Sequence, residues 1–167
     1  MQIILTKGLP GSGKSTWALK FIRNKPNWTR INKDEIRERL HGGAYSPDLE
    51  MLVEDERDSL VLAALRNGVN VVIDDTNLNP KHIERIQELA FSFLATDGVE
   101  VEVTEQDFTD VSLETCIRRD SKRARPVGED SIRDMHDRFL SYDSGRSCGS
   151  GGYWQRRNRR RSPFGRF

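Results

Sequence analysis

Apolar and polar positions along this chain alternate between two periods. Gln2 to Lys7 (QIILTK) is a short apolar-rich run that leads straight into a glycine-rich turn, the pattern of a buried strand. A helix follows from about Lys14 to Arg23. Trp28 to Ile31 reads as a second short strand, and a helix continues through about Leu40 before the loop HGGAYSP. Between Asp48 and Arg66, the residues Leu49, Leu52, Val53, Leu60, Ala63 and Ala64 recur at an approximate 3.6-residue period, predicting a long helix. Asn67-Gly68 is its stop signal. VNVVID, residues 69–74, is apolar at nearly consecutive positions, as a strand covered on both faces requires. Pro80 suits a first helical position and opens a helix to about Ala95. Val99, Val101 and Val103 alternate as a further strand, and helices near 110–121 and 129–141 follow. Strands alternating with helices predict an α/β fold in three layers, a parallel sheet flanked by helical crossovers.

Composition narrows the picture. A chain of 167 residues is one domain on size grounds. No apolar run approaches the ~20 residues of a membrane span, and MQIILTKG is too short and too soon interrupted for a signal peptide. Cys116 and Cys148 have neither disulfide-framework nor metal-ligand spacing, so a reducing, cytoplasmic compartment is expected. The net charge of +1 is unevenly spread: seven arginines face one acidic residue from Ser141 onward, a tail of +6 on a body of −5. The expected organisation is a folded domain over residues 1–140 and a disordered Arg/Gly/Ser-rich tail over 141–167.

GLPGSGKS, residues 8–15, matches G-x-x-x-x-G-K-[ST] in full and lies between strand and helix, which defines a P-loop NTPase. Gly8, Pro10, Gly11, Ser12 and Gly13 form a loop whose backbone N–H groups cradle phosphate oxygens, and Thr16 continues into the helix. Lys14 is expected on the β- and γ-phosphates and Ser15 on Mg²⁺. A guanine-reading N-K-x-D is not supported, because Asn32-Lys33-Asp34-Glu35 has glutamate where the aspartate belongs.

INKDEIR, residues 31–37, adds an acceptor side. Asn32 is a good helix N-cap with Glu35 three residues on, which makes Asp34 a first-turn residue and puts Arg37 on the same face. Exposed pairs of this kind are common on helices. Position favours chemistry, because ligands of open α/β sheets sit beyond the carboxyl ends of the strands. A carboxylate there can accept the proton of an attacking hydroxyl, and an arginine's planar fork suits a second phosphate. IDDTNLNP, residues 73–80, supplies another acidic strand end, where Asp74 or Asp75 is expected near Mg²⁺ or the acceptor. Thr76 and Asn77 fit the turn that follows. RRDSKRARPV, residues 118–127, packs five cations around a helix break, as a lid closing over phosphates would.

IILTKGLPGSGKSTWA, RINKDEIR, VVIDDTNLNP and RRDSKRARPV, in this order, resemble the kinase domain of bacteriophage 5′-polynucleotide kinases over about residues 2–140. The resemblance implies Lys14 and Ser15 on ATP–Mg²⁺, Asp34 as general base for a 5′-hydroxyl, and Arg37 on the acceptor's 3′-phosphate. It further implies Asp75 on the acceptor side and Arg123 as the lid arginine, with Arg119 and Arg125 as alternatives; Asn77 is a further candidate on the acceptor side, and Asp75 is also a metal candidate. The chain lacks the D-x-D-x-T motif of a phosphatase, so no 3′-phosphatase activity is expected. Its implied partners are nucleic-acid 5′-hydroxyl ends. Two other readings compete: a P-loop kinase of a small metabolite or nucleoside, and an ATP-binding nucleic-acid adaptor that transfers nothing. The tail's arginines, interleaved with Tyr153, Trp154, Phe164 and Phe167, match segments that bind single strands by charge and stacking.

Overall fold

The computed structural model describes residues 1–141, and the readings made for the tail lie outside them. In chain order the elements are β1 (Gln2–Lys7), α1 (Lys14–Ile22), β2 (Trp28–Ile31), α2 (Lys33–His41), α3 (Pro47–Arg66), β3 (Asn70–Ile73), α4 (Pro80–Asp97), β4 (Glu102–Asp107), α5 (Leu113–Asp120) and α6 (Glu129–Phe139). The four strands form one parallel sheet in the order β2-β3-β1-β4. Val71, Val72 and Ile73 are all fully buried. Consecutive strand residues point to opposite faces, so both faces of the sheet are covered, giving the expected three-layer α/β architecture.

The main core joins Ile3 and Leu5 of β1 and Val71 and Ile73 of β3 to Val53, Val61 and Leu65 of α3 and Ile86 and Phe93 of α4. A second cluster is built around the phosphate loop itself: Leu9 packs with Leu78, Cys116 and Ile132. This cluster ties α5 and α6 to the loop, so the helices that flank the basic segment are anchored to the residues that would hold phosphate.

Helix boundaries follow their caps. Asn32 accepts from the N–H of Glu35 at the start of α2, Ser46 does the same for Leu49 ahead of Pro47, and Asn79 caps α4 beside Pro80. The Asn32–Glu35 pair is half of a capping box, because the Glu35 carboxylate goes to Arg30 instead.

The last strand departs from the expectation set by the alternating valines at 99–103. α4 runs on to Asp97 and closes at Gly98 in the left-handed region, and β4 begins only at Glu102. Its register with β1 extends from Gln2↔Glu102 to Lys7↔Asp107. Backbone pairing along an edge strand sets its length, and Glu105 and Asp107 face solvent at no cost in core.

Candidate active site

β1 delivers the chain into the phosphate loop, and the loop's shape depends on glycine at specific points. Gly11 has φ +82°, and a Cβ there would lie 2.3 Å from the Cys116 carbonyl oxygen of α5. Only a residue without a side chain fits that approach. Gly8 N–H donates to the Thr76 carbonyl at 2.9 Å, which fastens the loop to the end of β3. Lys14 is buried, and its Nζ donates to the carbonyls of Gly8 (2.9 Å) and Leu9 (2.7 Å). Burial pulls its pKa down to about 8, opposed in part by the nearby Asp74 carboxylate. The lysine is therefore held across the mouth of the loop by neutral carbonyl acceptors, which a phosphate oxygen outcompetes as a charged one.

The carboxylate that touches Ser15 is that of Asp74, the first of the two strand-end aspartates, and not that of the metal candidate Asp75. Ser15 Oγ donates to Asp74 Oδ1 at 3.2 Å, and Arg30 Nε donates to Asp74 Oδ2 at 2.6 Å. Among the described residues no cluster of three or more Asp, Glu, His or Cys could hold a metal alone. A hydroxyl beside one carboxylate nevertheless fits Mg²⁺, which is ordinarily held by one or two carboxylates, water and substrate phosphates.

Asp75 turns the other way. Its Oδ1 accepts the backbone N–H of Lys33 at 2.9 Å, so it holds the first turn of α2, while its Oδ2 is shut off from solvent without a partner. Burial pushes its pKa up to about 6 against the favourable N–H of Lys33. Asn77 is also turned inward: it is buried at φ +43°, and its Nδ2 donates to the Thr6 carbonyl at 2.8 Å. That geometry fits a turn former, and its Oδ1 is buried without a partner.

On α2 the expected pair is present. Arg37 Nη1 lies 2.5 Å from Asp34 Oδ1, and Asp34 is 83% exposed. Glu50 of α3, which the sequence reading did not single out, takes the rest of the guanidinium, accepting from Nε at 3.2 Å and Nη2 at 2.8 Å. Burial alone would raise the Glu50 carboxyl, but hydrogen bonds from Arg37 and Lys33 outweigh it and hold its pKa below the ordinary value. Lys33 Nζ bridges Glu50 and Glu54, and Arg85 of α4 joins Glu54, Asp55 and Asp58. Glu50 falls near the polar start of α3, where a carboxylate is ordinary, so sequence spacing carried no sign of its partner. Arg30 left a fainter trace as a cation within a four-residue strand beside acidic strand ends.

In the basic segment, Arg119 reaches the phosphate loop, with Nη1 3.5 Å from the carbonyls of both Gly11 and Ser12. Arg123 pairs with Asp120 at 3.4 Å, and its charge helps to lower the Lys14 pKa. Arg125 extends to Glu38 of α2 at 2.9 Å. A groove of about 570 Å³ runs along the outer edge of β2, lined by Arg30, Glu35, Ile36 and Arg39 among others, and no phosphate-loop residue lines it.

A parallel sheet whose first strand enters a glycine-rich loop, with a buried lysine and a serine facing a strand-end aspartate, defines a P-loop nucleotide-binding domain. The chain belongs to the AAA domain family, whose model matches residues 3–141. It is similar to the "Putative bifunctional polynucleotide kinase/RNA ligase" of Autographa californica nuclear polyhedrosis virus, 29% identical over 86% of this chain and 21% of the viral protein. It is also similar to the L-seryl-tRNA(Sec) kinase of Methanococcus maripaludis, 27% identical over 83% of this chain and 52% of that one. The chain thus spans about a fifth and about half the length of these relatives. Among solved structures, a chain of the Pnkp1/Rnl/Hen1 RNA repair complex superposes with a TM-score of 0.66 at 29% identity, over 83% of this chain and 43% of the other. A fungal RNA kinase shares the fold at a TM-score of 0.58 and 20% identity, over 87% of this chain and 68% of the other. No helix among the described residues is long and apolar enough to cross a membrane.

Proposed function

We propose that the protein is an ATP-dependent kinase that moves the γ-phosphoryl group to the 5′-hydroxyl of a polynucleotide or a nucleoside 3′-phosphate. The observation that carries this reading is the tie between donor and acceptor sides. Asp75 of the segment after β3 holds the first turn of α2, so Asp34 and Arg37 are coupled to the strand end where Asp74 meets Ser15. The similarity to a viral polynucleotide kinase and to a chain of an RNA repair complex supports the same reading.

In this mechanism the loop N–H groups and Lys14 bind the β- and γ-phosphates. Ser15 and Asp74 would hold Mg²⁺, which when bound draws charge from the phosphates. Asp34 accepts the hydroxyl proton as the oxygen attacks, and Arg37 holds the acceptor's 3′-phosphate. Arg119 or Arg123 offsets the charge that develops on the transferring group. Arg37 pairs with Asp34, so a phosphate taken up by Arg37 also loosens the base.

The deciding experiment incubates the purified protein with γ-labelled ATP and a panel of acceptors: 5′-hydroxyl RNA and DNA oligonucleotides, nucleoside 3′-monophosphates, plain nucleosides and seryl-tRNA. Label on the oligonucleotides and nucleoside 3′-monophosphates but not on plain nucleosides is the expected result. Label on seryl-tRNA or plain nucleosides alone overturns it, and ATP binding without label anywhere returns the adaptor reading.

A further inference from the structure

Beyond Arg37 the acceptor side continues to an aromatic ring that no step above uses. Tyr45 lies in the connector between α2 and α3, 72% exposed, with its ring centroid 5.9 Å from the Arg37 guanidinium carbon. Tyr45 belongs to neither hydrophobic core. A single exposed tyrosine is ordinary on a protein surface. Two further features set this one apart.

The first is its mounting. Gly42 and Gly43 close α2 with N–H donations to the carbonyls of Glu38 (2.9 Å) and Arg37 (3.3 Å), and Ala44 N–H reaches the His41 carbonyl (3.2 Å). On the other side Ser46 caps α3 ahead of Pro47. The backbone that carries Tyr45 is therefore held between two capped helix ends, which limits the backbone entropy lost when a ligand meets its ring. The second is its company. Leu40, Tyr45, Met51 and Leu52, four of the exposed large apolar residues, fall within one thirteen-residue stretch around the end of α2 and the start of α3.

The order of groups along α2 gives the ring a place in the site. Asp34 is in the first turn, Arg37 one turn on, and Tyr45 past the C-terminal end. If Asp34 meets the 5′-hydroxyl and Arg37 the phosphate that follows the first nucleoside, the next group outward is the second nucleoside. We propose that Tyr45 is a stacking platform for the nucleobase of the acceptor's second nucleotide. Its flat face beside a guanidinium is the surface on which bases of any identity stack. Tyr45 then makes the enzyme sense a polymer: a nucleoside 3′-monophosphate fills the site as far as Arg37, and an oligonucleotide also gains the ring.

This inference rests on the kinase reading, and the test separates the two. Steady-state kinetics would compare wild type, Tyr45→Ala and Tyr45→Phe on three acceptors: a 5′-hydroxyl oligonucleotide, the same oligonucleotide abasic at its second position, and a nucleoside 3′-monophosphate. Loss of one stacked base corresponds to roughly a 5- to 150-fold change. In wild type, KM for the abasic oligonucleotide should exceed that for the intact one by a factor in this range. Tyr45→Ala should erase the difference by raising KM on the intact oligonucleotide, and Tyr45→Phe, which keeps the ring, should preserve it. Wild-type transfer with no dependence on the second base overturns the inference alone. So does a Tyr45→Ala loss of equal size on all three acceptors. No transfer by wild type to any nucleic-acid acceptor overturns the kinase reading and this inference with it.

Discussion

Asp75→Asn separates the charge of the Asp75 carboxylate from its hydrogen bond to α2. The asparagine oxygen can still accept the Lys33 N–H that lies 2.9 Å from Oδ1, but the side chain no longer titrates. Burial lifts the Asp75 pKa from the ordinary 3.8 to about 6. The folded protein thus binds this proton more tightly than the unfolded chain does. Its contribution to stability is fully present below pH 3.8, is lost as pH rises through about 6, and above that is a constant penalty. At 1.36 kcal/mol per pH unit between the two values, the penalty is about 3 kcal/mol at neutral pH and about half of that at pH 5. The new amide brings an opposing cost, because it replaces an oxygen that has no partner, near Arg57. An unpaired buried amide costs about 1–3 kcal/mol, and that cost does not vary with pH. The slope is therefore the diagnostic quantity. Between pH 5 and 7.5 the stability difference should move in favour of the variant by about 1 kcal/mol, a few degrees in Tm for a chain of this size. Thermal melts of both proteins at pH 5, 6 and 7.5, in chelator without nucleotide, give the comparison. Parallel Tm-against-pH curves would refute the reasoning, since Asp75 would then not titrate in this window.

Four further outcomes are expected. Asp34→Ala should keep ATP affinity and lose phosphoryl transfer by about a hundredfold or more; near-normal turnover of the folded variant would make Asp34 a surface partner of Arg37 only. Arg37→Ala should raise KM for nucleoside 3′-phosphates and oligonucleotides by roughly tenfold or more with ATP binding unchanged, and a loss of ATP affinity instead would move Arg37 to the donor side. Gly11→Ala should destabilise the fold by roughly 3 kcal/mol through its contact with the Cys116 carbonyl and its positive φ, whereas Gly13→Ala, with open space at the Cβ, should cost less by denaturant titration. ATP binding at pH 8 to 9 should take up a proton, because the Lys14 pKa of about 8 rises when phosphate replaces its carbonyl acceptors; calorimetry in buffers of different ionisation enthalpy reads it directly.

The donor half of the site was legible in the sequence because its chemistry is local. A P-loop is one contiguous stretch whose strand and helix flank it, and the apolar run of β3 marked the strand that carries the partnering carboxylate. Which of Asp74 and Asp75 faces Ser15 was not readable. Adjacent residues at a strand end point to opposite sides, and the choice depends on a register with β1 that starts from Ile3↔Val71. Glu50 was missed for a different reason. It meets Arg37 across an α2–α3 interface, and nothing in the spacing of thirteen residues fixes how two helices joined by a glycine loop will cross. The β4 boundaries escaped because an edge strand is defined by its backbone pairing, and the valine alternation lay partly in the turn before it.

The two halves of the site are also held by different forces, and the difference bears on what each must do. The phosphate loop is fixed by close packing: Leu9 sits in a core with α5 and α6, Gly11 is in van der Waals range of α5, and Gly8 is pinned to Thr76. Helix α2 buries only Ile36. The rest of its attachment is electrostatic, running from Asp34 through Arg37, Glu50, Lys33, Glu54 and Arg85 to Asp58 and the buried Arg57. Partly exposed ion pairs contribute about 0–1 kcal/mol each, so such a chain specifies an orientation without the stiffness of a packed core. In the proposed reaction the nucleoside triphosphate is the same ligand in every cycle, and a rigid cradle serves it. The proposed acceptor, a polynucleotide end, varies in base and strand context, and its anchoring phosphate would take a place on Arg37 that Asp34 and Glu50 fill. In the proposed reaction an acceptor helix held by exchangeable charges would admit that phosphate by trading a carboxylate for it on Arg37, and the carboxylate released, Asp34, would be the one placed to take the proton.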